Sequence, residues 1–160
     1  MIKSKFIDII KTFSQPEIKQ FRDFVHSPFH NKNRNVIKLF EYIKQYLPDI
    51  ESEKARKSLT REKIFNKIYP RKKYNDLVLR ILLSDLIKLS EEFLIIINLY
   101  DKPHDEYYLL LQELNSRGID NIYKSKIREA FLSLKECNDM RLKYQKLFEF
   151  EMNFIDFNLQ

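Results

Sequence analysis

The stretch NDLVLRILLSDLIKLSEEFLIIINLY, residues 75–100, decides the fold class. It has neither proline nor glycine, and its apolar residues recur at steps of three and four: Val78, Leu82, Leu86, Leu89, Phe93, Ile96 and Tyr100. This spacing places them on one side of an α-helix. The sequence therefore predicts a helix of about 25 residues, about 37 Å long. Leu77, Ile81, Ile87, Leu94 and Ile97 widen its apolar stripe, which favours a central position in an all-α fold.

The rest of the chain carries the same helical periodicity, and its five prolines fall only at the edges of these patterns. Proline inside a helix removes a hydrogen bond and clashes with the preceding turn. Further helices are predicted over 4–13, from Ser14, from about Val36 to Pro48, over 61–69, from Lys102, over 121–137, and from Asp139 onward. Residues 48–57 are expected to form a connection. We predict one all-α, orthogonal or bundle-like domain of seven or eight helices over 1–160.

Several helix ends have recognisable stop and start signals. Ser14 and Glu17 have the spacing of a capping box, and Thr60 has that of an N-cap with a hydrophobic staple between Leu59 and Ile64. Gly118 is the only glycine. It lies where a left-handed residue would end a helix in a Schellman motif.

Composition excludes several classes of site. Phosphate-binding loops need several glycines for close backbone approach, so P-loop and Rossmann-type nucleotide sites are not expected. Cys137 is the only cysteine, which excludes an intrachain disulfide and cysteine-based zinc sites. The longest uncharged run, 93–100, is much shorter than the roughly 20 residues of a membrane span. We expect a cytoplasmic protein with no cofactor and no membrane association.

The chemically active residue types do not form a catalytic motif. His26 and His30 have the spacing of a helical zinc pair, but Pro28 lies between them and a third ligand is not evident. Cys137 is interpreted as a small core residue, and Asp85, Glu91 and Glu92 as part of a solvated helix face. We therefore expect a non-catalytic protein without a metal site.

One segment is strongly basic. Between Lys54 and Arg80 there are ten Lys or Arg against only Glu62 and Asp76, with Phe65, Tyr69 and Tyr74 interleaved. Cations beside aromatics are typical of surfaces that combine phosphate contacts with base stacking. The alternative is a solvated lysine-rich face whose aromatics point into the core. The candidate anion or nucleic-acid-binding residues are Lys54, Arg56, Lys57, Arg61, Lys67, Arg71, Lys72 and Lys73.

The segment KLFEFEMNFIDFNLQ, residues 146–160, carries apolar residues in two registers. Alternation of period two would favour a strand, but Glu, Asn and Asp are disfavoured in strands. We predict a helix with two apolar faces, one packed internally and one meeting a second copy, a protein partner or the missing continuation of a longer protein. Phe150, Phe154 and Phe157 are the candidate interface residues.

Three segments, Ser27-Pro-Phe-His-Asn-Lys-Asn33, EKIFNKIYP and YNDLVLRILLSDLIKLSEEFL, resemble an uncharacterised family of helical proteins from Bacteroidetes-type bacteria. The likeness extends over about Pro16 to Phe93, and His30 stands where that family usually has an aromatic residue. The resemblance implies no activity. Members of that family look longer than this chain, which implies that the chain is a fragment or the amino-terminal domain of a longer helical protein. Together these observations favour a non-catalytic interaction or scaffold module, with weak, sequence-independent nucleic-acid binding as the alternative.

Overall fold

The computed structural model describes Ile2 and residues 4–159. Within these residues the protein is all-α, with nine α-helices, two short 3-10 turns and no strand. None of the described helices is long and apolar enough to cross a membrane. The helices are α1 (Lys5–Ile10), α2 (Gln15–His26), α3 (Arg34–Lys44), α4 (Glu53–Ser58), α5 (Arg61–Ile68), α6 (Asp76–Tyr100), α7 (Pro103–Ser116), α8 (Asp120–Ser133) and α9 (Met140–Asn158).

The predicted caps are confirmed. Ser14 and Glu17 form a reciprocal capping box at the start of α2, and the Thr60 side chain accepts from the Lys63 N–H at the start of α5. At the end of α7, Gly118 has φ +63°, its N–H bonds to Asn115 O, and the Ile119 N–H bonds to Leu114 O. These two bonds define a Schellman motif.

One expected connection is instead partly helical. The sequence predicts that residues 48–57 link two helices, but Glu53–Ser58 forms α4, capped by the Ser52 side chain. Ala55 is fully buried in this short helix. An isolated helix of six residues is unstable in water, so burial and the cap stabilise α4. The segment is too short to show a helical periodicity in the sequence. It brings the α-helix count in the described residues to nine, above the seven or eight expected.

The chain folds as two compact units, one ending at Ile95 and the other beginning at Ile96. The core of the first unit is rich in phenylalanine. The Phe93 ring of α6 lies 5.3 Å from that of Phe21 and 5.4 Å from that of Phe13, and Phe40 meets Phe21 edge-on at 5.2 Å. These rings join α2, α3 and α6 around the chain segment that follows α1, and aromatic pairs at such distances add to simple burial.

The observed inner face of α6 differs in part from the expected stripe. Leu82, Leu86, Leu89 and Phe93 are buried as predicted, but Val78 is half-buried and Tyr100 is exposed. The remaining buried apolar residues of α6 are Leu79 and Leu83. The stripe is so wide that periodicity alone does not define its centre.

The second unit has its own core, built by α7, α8 and α9. Its buried residues are Leu111, Leu114, Tyr123, Ile127, Ala130, Leu134 and Phe150. Half-buried aromatic and leucine side chains surround this cluster: Tyr107, Tyr108, Phe131, Leu147 and Phe157.

Candidate interaction surfaces

The inner face of α9 combines aromatic and polar residues. Lys146, Phe150 and Asn153 are buried and Phe157 is half-buried, and they recur at steps of four, three and four. Phe150 packs edge-on against Phe131 at 5.9 Å, and Phe157 stacks on Tyr123 at 4.0 Å. This face therefore belongs to the core of the second unit.

Each buried polar group of this face has a partner on another helix. The Tyr123 hydroxyl donates to Asn153 Oδ1 at 3.0 Å. Lys146 Nζ pairs with Asp105 at the start of α7 and with Glu149 Oε2 at 2.6 Å. Burial opposes the charge of Lys146, but the two carboxylates outweigh burial and raise its pKa. These pairs fix which side of α9 faces inward, because an unpaired buried charge is costly.

The opposite side of α9 is an exposed apolar stripe, here called the outer stripe. It consists of Tyr144, Phe148, Met152, Ile155 and the C-cap residue Leu159, whose exposed fractions range from 42% for Met152 to 79% for Leu159. At 3.6 residues per turn these five positions fall within about 80° of one another, roughly opposite the inner face. The expectation of a helix with two apolar faces is thus met by the geometry of α9.

The structure corrects the residues expected to form the interface. Phe150 is fully buried and Phe157 is covered by Tyr123, so both are core residues. Phe154 is 43% exposed but lies at the border of the inner face. At 100° per residue, Phe150 and Phe157 fall on the same side of the helix as Lys146 and Asn153, and Phe154 falls between the two faces.

The cations of the basic segment lie at the surface. All eight candidate cations are exposed, and five of them have no carboxylate within 4 Å among the described residues: Lys54, Lys67, Arg71, Lys72 and Lys73. Two of these cations lie near Tyr46. Hydrogen bonding with Ser58 and Tyr42 lowers the pKa of Tyr46, and the ammonium groups of Lys54 and Lys67 lower it further.

The other three candidate cations are paired. Arg56 contacts Glu51 at 3.4 Å and Lys57 contacts Glu53 at 2.6 Å. Arg61 donates to Asp76 Oδ1 at 2.6 Å. Asp76 also accepts from the Tyr74 hydroxyl at 2.7 Å and pairs with Arg80 at 2.8 Å. The Tyr74 hydroxyl and the Arg61 guanidinium hold the pKa of Asp76 below its usual value, so Asp76 neutralises part of the segment.

The interleaved aromatics serve mainly the fold. Phe65 is buried, and the rings of Tyr69 and Tyr74 lie 5.1 and 5.5 Å from it, both half-buried. Lys72 Nζ lies over the Tyr69 ring at 5.3 Å. The aromatics therefore do not form an open platform for base stacking, and the segment offers anion contacts through its cations alone.

Two of the three histidines, His26 and His30, make contacts within the first unit. His26 Nε2 lies 3.0 Å from Glu41 Oε1, and the His30 ring stacks on Phe24 at 3.8 Å. Buried Asn31 holds the same loop by donating to Val25 O and accepting from the Asn33 N–H, both at 2.9 Å.

A cleft of about 370 Å³ in the second unit lies between the start of α7 and α9. Its charged and polar lining residues are Asp101, Lys102, His104, Asp105, Gln145 and Lys146. Lys146 pairs with Asp105 and Glu149, and against the effect of burial these carboxylates raise its pKa, which favours the charged ammonium form. His104 Nδ1 lies 3.1 Å from Ser133 Oγ, which itself donates to Ala130 O.

Comparisons with protein-family models, with curated proteins and with solved structures give no significant match.

Proposed function

We propose that this protein is a non-catalytic helical interaction module that docks through the outer stripe of α9. The observation that carries the proposal is the exposure of five large apolar side chains on the side of α9 opposite its packed face. Monomeric proteins rarely expose apolar patches larger than a few hundred Å² unless they bind something.

The distribution of exposed apolar residues supports this proposal. Of the nineteen large apolar side chains that are exposed in the described residues, fourteen lie after Ile95, and eight of these lie between Met140 and Leu159. The longer first unit contributes only five. Exposure is therefore concentrated in α9, as expected of a surface that another helix covers.

A photo-crosslinking residue at Phe148, incorporated in the host cell, tests the proposal. The matched control is the same residue at Phe29, which is 87% exposed but outside α9. We expect an adduct with one protein, identified by mass spectrometry, at Phe148 and not at Phe29, and its loss when Ile155→Glu is added. Equal or absent adducts at the two positions would refute the proposal.

A second function, weak sequence-independent binding of nucleic acid, is favoured by one observation. Lys54, Lys67, Arg71, Lys72 and Lys73 are exposed cations without a carboxylate partner in the described part of the chain. Cations that neutralise phosphates release counterions, so the affinity should fall as salt rises. The binding of labelled single-stranded and duplex oligonucleotides, measured at two salt concentrations, tests this. A variant with Arg71, Lys72 and Lys73 changed to Glu should bind more weakly. Absence of salt-sensitive binding at low ionic strength would exclude it.

A further inference from the structure

We infer that the occupant of the outer stripe is a second copy of this chain, with the two α9 helices antiparallel. The inference rests on the proposed docking role of α9 and names the partner. Three properties of the helix carry it: the spacing of the stripe, its area and the distribution of charge along it.

The outer stripe has the spacing of a helix-pairing seam. Tyr144, Phe148, Met152, Ile155 and Leu159 advance by four, four, three and four residues, close to the alternation that lets one helix pack along another. A seam of this kind is complementary to a copy of itself. Its side chains expose on the order of 500 Å² per copy, so pairing two copies buries about 1,000 Å², near the lower end of specific interfaces.

Charge along the helix selects the direction of pairing. Arg141 is exposed at the start of the seam, whereas Glu151 and Asp156 are exposed beside its second half. An antiparallel pair centred between Phe148 and Met152 places Arg141 of each copy within about one helical turn, 5.4 Å along the helix axis, of the level of Asp156 in the other. A parallel pair would instead set Arg141 against Arg141, and like charges at this range repel. Glu151 lies beside the centre of the seam and faces its counterpart in either arrangement, so Arg141 and Asp156 alone select the direction.

Sedimentation velocity of the purified chain from 5 to 200 µM tests the inference. We expect a monomer–dimer equilibrium that Phe148→Glu abolishes. The control variant Leu109→Glu, at a 51% exposed leucine of α7, should leave it unchanged. Circular dichroism verifies that both variants keep the helical fold. A chain that stays monomeric at 200 µM overturns self-association, whereas the proposed function is overturned only by the crosslinking result.

Charge reversal tests the direction. Arg141→Glu alone and Asp156→Arg alone should each weaken dimerisation about fivefold, because each places two like-charged pairs across the antiparallel seam. The double variant should restore the wild-type affinity. Since a parallel pair already sets like charges together, Arg141→Glu would leave its dimerisation unchanged, and that result would overturn the antiparallel arrangement.

Discussion

The Tyr123 hydroxyl donates a 3.0 Å hydrogen bond to Asn153 Oδ1, and both side chains are buried. The bond joins α8 to the inner face of α9, beside the stack of Tyr123 on Phe157. A buried asparagine is tolerated only when it is hydrogen-bonded, so this pair helps to define which side of α9 faces the core. The outer stripe is exposed as a consequence.

Removing this hydrogen bond should destabilise the second unit. Tyr123→Phe keeps the ring but leaves Asn153 Oδ1 without that donor. We expect a loss of about 1–2 kcal/mol in the free energy of unfolding, the cost of a buried unsatisfied acceptor. Urea unfolding followed by circular dichroism measures it. Tyr100→Phe, at an exposed tyrosine, is the control, and an equal loss there would contradict the role of the bond.

The same tyrosine predicts a dependence on alkaline pH. Burial, with a smaller contribution from the Asp156 carboxylate, raises the pKa of Tyr123 to about 12, against about 10 in an unfolded chain. The folded state therefore holds this proton more tightly. The resulting stability is fully present below pH 10 and is lost as the pH rises towards 12.

Comparison with Tyr123→Phe isolates this contribution. Burial also raises the pKa of Tyr42 to about 12, but Tyr42 is present in both proteins and its effect cancels. Between pH 9 and 11.5 the wild type should lose on the order of 2 kcal/mol more than the variant. Parallel stability curves would show that Tyr123 titrates normally in the folded protein.

The sequence predicted the features that depend on neighbouring residues. Ser14, Thr60 and Gly118 act within one helical turn. The local sequence pattern around each of them is therefore enough to predict the helix end. The six-residue helix α4 was missed because burial of Ala55 supports it, which is a tertiary contact. Similarly, Asp105 and Tyr123 on other helices determine which side of α9 faces inward. Because α9 is apolar on two sides, its own sequence does not predict which side those helices cover.

Replacing Lys146 by an uncharged residue should lower the free energy of unfolding more than replacing any other cation of the second unit. Its side chain is only 8% exposed, and it pairs with Asp105 and Glu149. Lys146→Met leaves two carboxylates facing an apolar group, which should cost about 2–3 kcal/mol because both keep some access to water. Lys126→Met removes a more exposed pair with Glu129 of the same i,i+3 spacing and should change stability little. Equal effects of the two substitutions, measured by urea unfolding, would contradict a structural role for Lys146.

Arg71 occupies a backbone conformation that favours glycine. Its φ is +71°, it follows Pro70, and the Lys72 N–H bonds to Tyr69 O at 3.2 Å, the pattern of a type II turn. A non-glycine residue in the left-handed region is destabilised by roughly 1–2 kcal/mol. Glycine avoids this strain but loses more conformational entropy on folding, which offsets part of the difference. Arg71→Gly should therefore stabilise the protein by about 0.5 kcal/mol relative to Arg71→Ala in thermal or urea unfolding. An alanine variant as stable as the glycine variant would refute strain at this turn.

Asp76 should oppose any binding of nucleic acid by the basic segment. It accepts hydrogen bonds from Tyr74 and Arg61 and pairs with Arg80, and its lowered pKa keeps it ionised at neutral pH. Asp76→Asn removes this negative charge and frees two guanidinium groups for phosphate contacts. If the segment binds oligonucleotides, the variant should bind about threefold more tightly at low salt and with a steeper dependence on salt concentration. Fluorescence anisotropy at several salt concentrations measures both, with Asp85→Asn on α6 as a control that changes the net charge equally. An equal gain from Asp85→Asn would mean that overall charge, and not the segment around Asp76, governs the binding.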